Sequence, residues 1–332
     1  MMLGEDVLRK LRPEYLPFPV TRPQQLLRPI RFAFLILLVP GALVPGTDVR
    51  AQDLEPRAFS PVPVGLNFGV LGYGYAEGNV FFDQSLPVED AVGKLHSATA
   101  GYLRTLDFFG ATGRLATVLP FVWGDYEGLW LGEPASASRR GIADPLVKFA
   151  FNFVGAPART LQEWSKYQEQ TIVGASVLVT VPIGQYDPEK LINLGSNRWA
   201  FRARLGASHH LRRWYFELIG ELWAFTQNND APGNSTISQD PILAIQFNAI
   251  YQFRRGFWLG AGFGYGEGGQ TTVSGIAKET QQINKRLGVT LVYPVNRRHS
   301  LRLSYLNSLS TVVGADFDRL GLAWQVRWGG GL

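Results

Sequence analysis

The stretch RLGLAWQVRW, Arg319 to Trp328, alternates without a break. In an extended chain Leu320, Leu322, Trp324, Val326 and Trp328 share one face. Arg319, Gly321, Ala323, Gln325 and Arg327 share the other. A period of two with one wholly apolar face means a strand that separates two different surroundings.

Outward from it the same test succeeds repeatedly. In NRWAFRARLGA, Trp199, Phe201, Ala203 and Leu205 oppose Arg198, Arg202 and Arg204. In RRWYFELIGELWAF, Trp214, Phe216, Leu218, Gly220, Leu222 and Ala224 oppose Arg213, Tyr215, Glu217, Ile219 and Glu221. In ILAIQFNAIYQF, Leu243, Ile245, Phe247, Ala249, Tyr251 and Phe253 oppose Gln246, Asn248 and Gln252. In KRLGVTLVY, Leu287, Val289, Leu291 and Tyr293 oppose Arg286, Gly288 and Thr290. About twelve strands begin near Leu66, His96, Arg114, Ile142, Thr171, Asn197, Arg212, Pro241, Gly256, Ile283, His299 and Arg319.

Two surroundings would suit the apolar faces: the shared core of a soluble sandwich, or lipid. Large aromatics near the strand ends favour lipid, as an interfacial girdle. So does strand length, which is enough to cross a bilayer at a tilt. The connections also alternate in length. Short ones are expected at Gly110-Ala111-Thr112, His209-His210-Leu211, Arg254-Arg255-Gly256 and Pro294 to Arg297. Long polar ones are expected at Gly78 to Leu95, Glu127 to Arg140, Gly184 to Ser196, Asn228 to Asp240 and Glu267 to Gln282. Short turns on one side and long loops on the other characterise outer-membrane barrels, whose closure leaves no strand edge unpaired in lipid. The expected fold is an antiparallel transmembrane β-barrel of about 12 strands over residues 66–332. Thr160-Leu161-Gln162-Glu163 reads as a capping box, so a short periplasmic helix is expected near residues 158–169.

Composition agrees with this fold. Charged residues make up 18% of the 332, below the usual ~25%. Cysteine is absent, which fits export through an oxidising compartment. The net charge of +5 comes largely from the N-terminus: residues 1–51 hold seven Lys and Arg against four Asp and Glu, and the rest hold 25 against 23. With that balance, and with no basic run interleaved with aromatics, no nucleic-acid partner is expected. Arg28 and Arg31 precede the apolar run FAFLILLVPGALV (Phe32 to Val44), and Val49-Arg50-Ala51 follows. The run has about 13 residues, short of the ~20 that span a bilayer. A signal peptide over 1–51, cleaved after Ala51, and a linker over 52–65 are expected.

GIADPLVKFAFNFVGAP, TIVGASVLVTVPIGQYDPEKLINLGSNRWAF and FDRLGLAWQVRW together resemble the outer-membrane transporter family of the meta-pathway of phenol degradation. The resemblance runs from about Val64 onward. It implies a bacterial outer-membrane channel for small hydrophobic or aromatic solutes, and its name carries no phenol specificity. The final strand ends on Trp328, the aromatic through which barrel-assembly machinery is expected to recognise it, but Gly329-Gly330-Gly331-Leu332 follow.

The candidate permeation residues are the charged inner set: Arg198, Arg202, Arg204, Arg213, Glu217, Glu221, Arg286, Arg302, Arg319 and Arg327. They read either as a solvated, internally paired lumen or as a path that attracts carboxylates and phenolates. With the sixth and seventh strands paired about His209-His210-Leu211, Arg204 is expected opposite Glu217 or one step away, and Arg202 near Glu221 or Tyr215. In the loop after Pro182, Tyr186, Asp187, Lys190, Asn193 and Asn197 are read as a latch at the barrel mouth, or as a plain solvent loop. Gly260, Gly262, Gly264, Gly266 and Gly268 line one inner face, which implies close approach of a constricting loop or a solute, or relief of curvature. The four histidines form no hydrolase or metal pattern, since His299 and Ser300 point to opposite sides of a strand and no HExxH occurs. No enzyme activity, metal or cofactor is expected. A plugged structural or adhesion barrel, or an outer-membrane hydrolase, are the alternatives.

Overall fold

The computed structural model describes residues 54–79, 88–130, 132–311 and 316–332. The signal-peptide reading lies outside these residues. The wall opens with β1 (Leu66–Asn79), β2 (Val88–Phe108) and β3 (Ala111–Trp130). β4 (Glu133–Ile142) pairs with the external part of β3, and β5 (Leu146–Pro157) with its periplasmic part. They are one wall strand, broken at Ala143-Asp144-Pro145 where proline cannot donate to a ladder.

After the turn α1 (Leu161–Trp164) come β6 (Thr171–Thr180), β7 (Ala200–Leu211) and β8 (Trp214–Phe225). β9 (Asn228–Ala231) and β10 (Ser235–Gln239) leave the wall, and β11 (Ile242–Arg254) and β12 (Phe257–Gly268) rejoin it. β13 (Thr271–Val273) and β14 (Ile276–Ala277) pair beyond the wall with β10, in the order β14-β13-β10-β9. β15 (Gln282–Pro294), β16 (His299–Thr311) and β17 (Asp316–Gly329) complete the circuit. β17 pairs antiparallel with β1, from Leu66↔Gly329 to Asn79↔Asp316, and β2 pairs with β3. Twelve wall strands therefore close on themselves, and every strand edge in lipid has a partner.

The alternation holds along the wall. Leu218 is 54% exposed and its neighbour Glu217 2%. Trp199, Phe201, Leu222 and Phe247 are likewise exposed, on the face that meets lipid. Two expectations are corrected. The segment Glu127 to Arg140 is not a loop: β3 and β4 pair through it, from Trp130↔Glu133 to Trp123↔Arg140. Much of Gly78 to Leu95 is also strand, because β2 starts at Val88 and pairs with both neighbours. Gly, Pro and Ser there suggested turns, but long paired hairpins satisfy their backbone groups instead. The expected short helix is present as a single turn, Leu161–Trp164. Its capping box is present, with Thr160 N–H donating to Glu163 Oε2 at 2.8 Å. The chain then folds back, stacking Tyr167 on Trp164 at 4.7 Å and donating Tyr167 O–H to Gly155 O.

Candidate functional site

The inner face of β7 and β8 carries paired charges. Arg204 lies opposite Glu221, Arg202 opposite Trp223 and Ser208 opposite Glu217. The pairing expected between Arg204 and Glu217 is thus displaced. His209, His210 and Leu211 continue β7, and the turn is Arg212-Arg213 with Arg212 at φ 59°. Glu221 binds both arginines, with Arg202 Nη2 at 2.5 Å and Arg204 Nε at 3.0 Å. Arg202 also lies over the Trp223 ring at 4.6 Å.

The second partner of Arg204 comes from the N-terminal segment. Residues 54–65 run into the lumen. Glu55 accepts from Arg204 Nη1 at 2.6 Å and from Lys148 Nζ at 2.7 and 2.8 Å. Arg57 N–H donates to Glu217 Oε2 at 2.8 Å, and Asn248 Nδ2 donates to the same oxygen at 3.0 Å. Phe59, 2% exposed, packs with Ala58, Ala156, Ile172 and Ile219. Asn152 Nδ2 donates to Phe59 O, and Arg114 Nη1 to Ser60 O. Thr105 then anchors the exit, donating to Pro63 O and accepting from Leu66 N–H.

Glycines make room for this plug. A Cβ on Gly206 would stand 2.4 Å from the Phe59 ring, and one on Gly174 2.6 Å. At Gly288 it would meet Leu54 at 2.9 Å, at Gly262 Leu54 at 3.4 Å, and at Gly260 Pro56 at 3.4 Å. The close approach at the β12 glycines is made chiefly by the neighbouring wall strand: a Cβ on Gly262 would stand 2.5 Å from Asn248 Oδ1 and one on Gly260 3.1 Å from Ile250, with the plug only in ordinary contact there.

At the periplasmic end Arg57 stacks on Tyr215 at 3.9 Å and reaches Gln252, Ser60 and Glu169. His210 lies flat on the other ring contact of Tyr215, 4.4 Å between centroids. Burial raises the pKa of Glu169 above the ordinary carboxylate value, and the charges of Arg57 and His210 oppose the shift.

Beside the plug lies a cavity of about 540 Å³. Its walls include Phe68, Val70, Leu103, Val118, Leu146 and Leu306, and its charged lining includes Lys148, Arg114, Arg202, Arg302 and Arg319. Arg286 is buried on the inner face opposite Gly264. Arg198 sits where the wall ends, bound to Gln239 at 2.5 Å and over Phe225. Arg327 holds Arg297 O at 2.6 Å near the turn between β15 and β16. Arg213, expected in the lumen, is exposed in the β7–β8 turn and reaches Tyr251 O–H, because β8 begins only at Trp214. Sequence reasoning missed Glu55, Arg57, Lys148 and Asn152. Lys148 could have been found, since it alternates with Val147 and Phe149; Glu55 sits in an aperiodic segment.

The loop between β6 and β7 fills the wall beside the break after β4. Gln185 N–H donates to Ile142 O at 2.8 Å. Asp144, also missed, accepts from Gly184 N–H at 2.9 Å and from Ser196 N–H and O–H at 2.7 Å. Tyr186 donates to Asp230 O at 2.8 Å and accepts from Asn228, which also accepts from Asn197. Lys190 pairs with Asp187, whose carboxyl is held below its ordinary pKa by that contact, and Asn193 closes the turn onto Asp187. All five expected latch residues thus belong to one bonded loop tied to the external sheet.

The histidines are dispersed. His96 stacks on Trp123 and bonds Tyr73, His209 bonds Thr171, and His299 stacks on Trp324.

The family described as "Putative MetA-pathway of phenol degradation" matches residues 79–324. An outer membrane channel from Pseudomonas putida F1 is similar in structure, with a TM-score of 0.70 at 21% identity over 83% of this chain and 100% of that one. The transport unit of the autotransporter AIDA-I from Escherichia coli scores 0.44 at 10% identity, over 83% and 92% of the two chains. The β domain of the Bordetella autotransporter BrkA scores 0.43 at 10% identity, over 79% and 99%. No curated protein matches the chain by sequence. The fold is that of a bacterial outer-membrane barrel.

Proposed function

The chain belongs to the phenol-degradation family that matches it, and from that premise we propose that it is an outer-membrane channel for small hydrophobic or aromatic solutes. Passage is passive, through a charged lumen whose opening is set by the N-terminal plug and the external loops. The observation that carries this reading is the cavity of about 540 Å³ beside the plug, walled by β1 to β3 and β15 to β17 and apolar along most of its lining. That volume suits a single small solute. Its likeness in fold to the Pseudomonas channel supports the same reading. Removal of residues 1–51 would leave Gln52 two residues ahead of the plug, and N-terminal sequencing of membrane-extracted protein should start there.

The chain acts without catalysis in this reading. Its histidines make structural contacts with aromatic rings and hydroxyls. A second reading, a permanently plugged structural or adhesion barrel, is favoured by the number of bonds that tie Glu55, Arg57 and Phe59 to the wall. Proteoliposomes with lipopolysaccharide in their outer leaflet separate the two. They are expected to take up labelled phenol faster than protein-free vesicles, and equal rates would leave the plugged barrel.

A further inference from the structure

Glu55 is the one plug carboxylate in the described residues that enters the wall's cationic cluster. It is bound by Lys148 from β5 and Arg204 from β7. Arg204 is also held by Glu221 on its own hairpin, so it keeps a counter-charge without the plug. Lys148 has no other ion pair among the described residues. It lines the cavity, as do Arg114 and Arg302. Arg302 has no hydrogen bond or ion pair among the described residues, and it lines the same cavity as Glu55 and Lys148. The cluster thus presents more cationic groups than the plug satisfies, at the border of an apolar cavity.

A buried cation that gains its counter-ion from a movable segment can exchange it for another carboxylate of better fit. The apolar walls beside Lys148, among them Leu146, Val118, Leu103 and Leu306, would receive whatever chain the carboxylate carries. Resting on the channel reading, we infer that Glu55 stands in for the head group of a substrate, and that the substrate class is an anionic amphiphile with one carboxylate and a short apolar body. Its carboxylate takes Lys148 and Arg302, its body fills the cavity, and Glu55 is released. Release removes two of the plug's wall contacts, so binding the solute loosens the segment that obstructs it. The competition is reciprocal: Glu55 lowers the ligand's affinity by the same factor by which the ligand lowers the hold of Glu55.

The test is calorimetric titration of octanoate, with 1-octanol as the neutral control, into the barrel with its N-terminal segment in lipid nanodiscs. Wild type is expected to bind octanoate. Glu55→Gln is expected to bind it about tenfold more tightly, because the internal competitor is gone. Lys148→Met is expected to lose binding. Arg302→Met leaves the Lys148–Glu55 pair intact and is expected to weaken octanoate while leaving 1-octanol unchanged, which guards against a misfolded Lys148 variant. Octanoate affinity unmoved by Glu55→Gln and Arg302→Met overturns the inference, as does an equal response from 1-octanol. Phenol uptake is scored separately on the same preparations. Uptake with no octanoate pattern sinks the head-group site and spares the channel; the octanoate pattern without uptake does the reverse.

Discussion

On one side of the lumen, β7, β8 and β11 send in Arg202, Arg204, Glu217, Glu221, Gln246 and Asn248, all buried. The plug is bonded to that side through Glu217 and Arg204, and beyond it to Thr105, Arg114, Lys148 and Asn152 of β2, β3 and β5. On the other side, β1 to β3 present Phe68, Val70, Leu103 and Val118 to open space. The two sides belong to one closed sheet with the same outward apolar face. The difference shows that the alternation of a barrel strand fixes only what faces lipid. The inward face is free to serve as a polar core against the plug or as an apolar wall against a solute.

The largest expected effect tests the shared outer face. Leu218→Arg on the lipid side of β8 should cost ~2–4 kcal/mol in refolding into bilayers, whereas a cost near zero would put the register wrong. Next comes the packed side. Gly206→Val places atoms inside the Phe59 ring position, and overpacking of this kind costs ~1–3 kcal/mol. The plug should yield before the wall does, so conductance across planar bilayers should rise with the barrel still folded. Unchanged conductance would mean that the plug is not what narrows the lumen.

Glu221→Gln probes the charge of the same side. It removes the carboxylate that Arg202 and Arg204 share, leaving Arg204 with Glu55, and ion selectivity should move toward anions by a few-fold. A folded variant with lower thermal stability and unmoved selectivity would make the pair purely structural. The smallest effect concerns the periplasmic clamp. The native pKa of Glu169 is raised, so the folded state holds its proton more firmly than the unfolded chain. That contribution is complete below the ordinary value of 4.5 and is lost as pH rises through the raised one. Glu169→Gln should flatten this segment of the stability–pH curve; an unaltered slope would assign it to another group.

The outer face was legible because lipid tolerates only apolar side chains, so Leu218, Phe247 and Leu287 had to alternate with polar neighbours. The inner partners were less so. Arg204 and Glu221 were both placed inside, yet their pairing needed the turn at Arg212-Arg213, and His209-His210 looked equally turn-like. Glu55 and Phe59 escaped because LEPRAFSPVPVG has no period and is bonded to side chains of the wall 42 to 195 residues away. Asp144 was hidden for a similar reason: it reads as a turn residue before Pro145, and its three donors come from beyond β6. The glycines of β12 did announce a close neighbour, though nothing in them could name it.

The glycine bed under Leu54 and Phe59 has a consequence for heredity. Gly174, Gly206 and Gly288 come from three wall strands, yet a Cβ on any of them would stand within 2.9 Å of one of two side chains far earlier in the gene product. A methyl group gained at one of them must be answered by atoms lost from the amino terminus. In lineages that diverge from this one, the two sets should therefore drift together, and a chimera that joins the wall of one relative to the first residues of another should assemble poorly unless the exchange carries both.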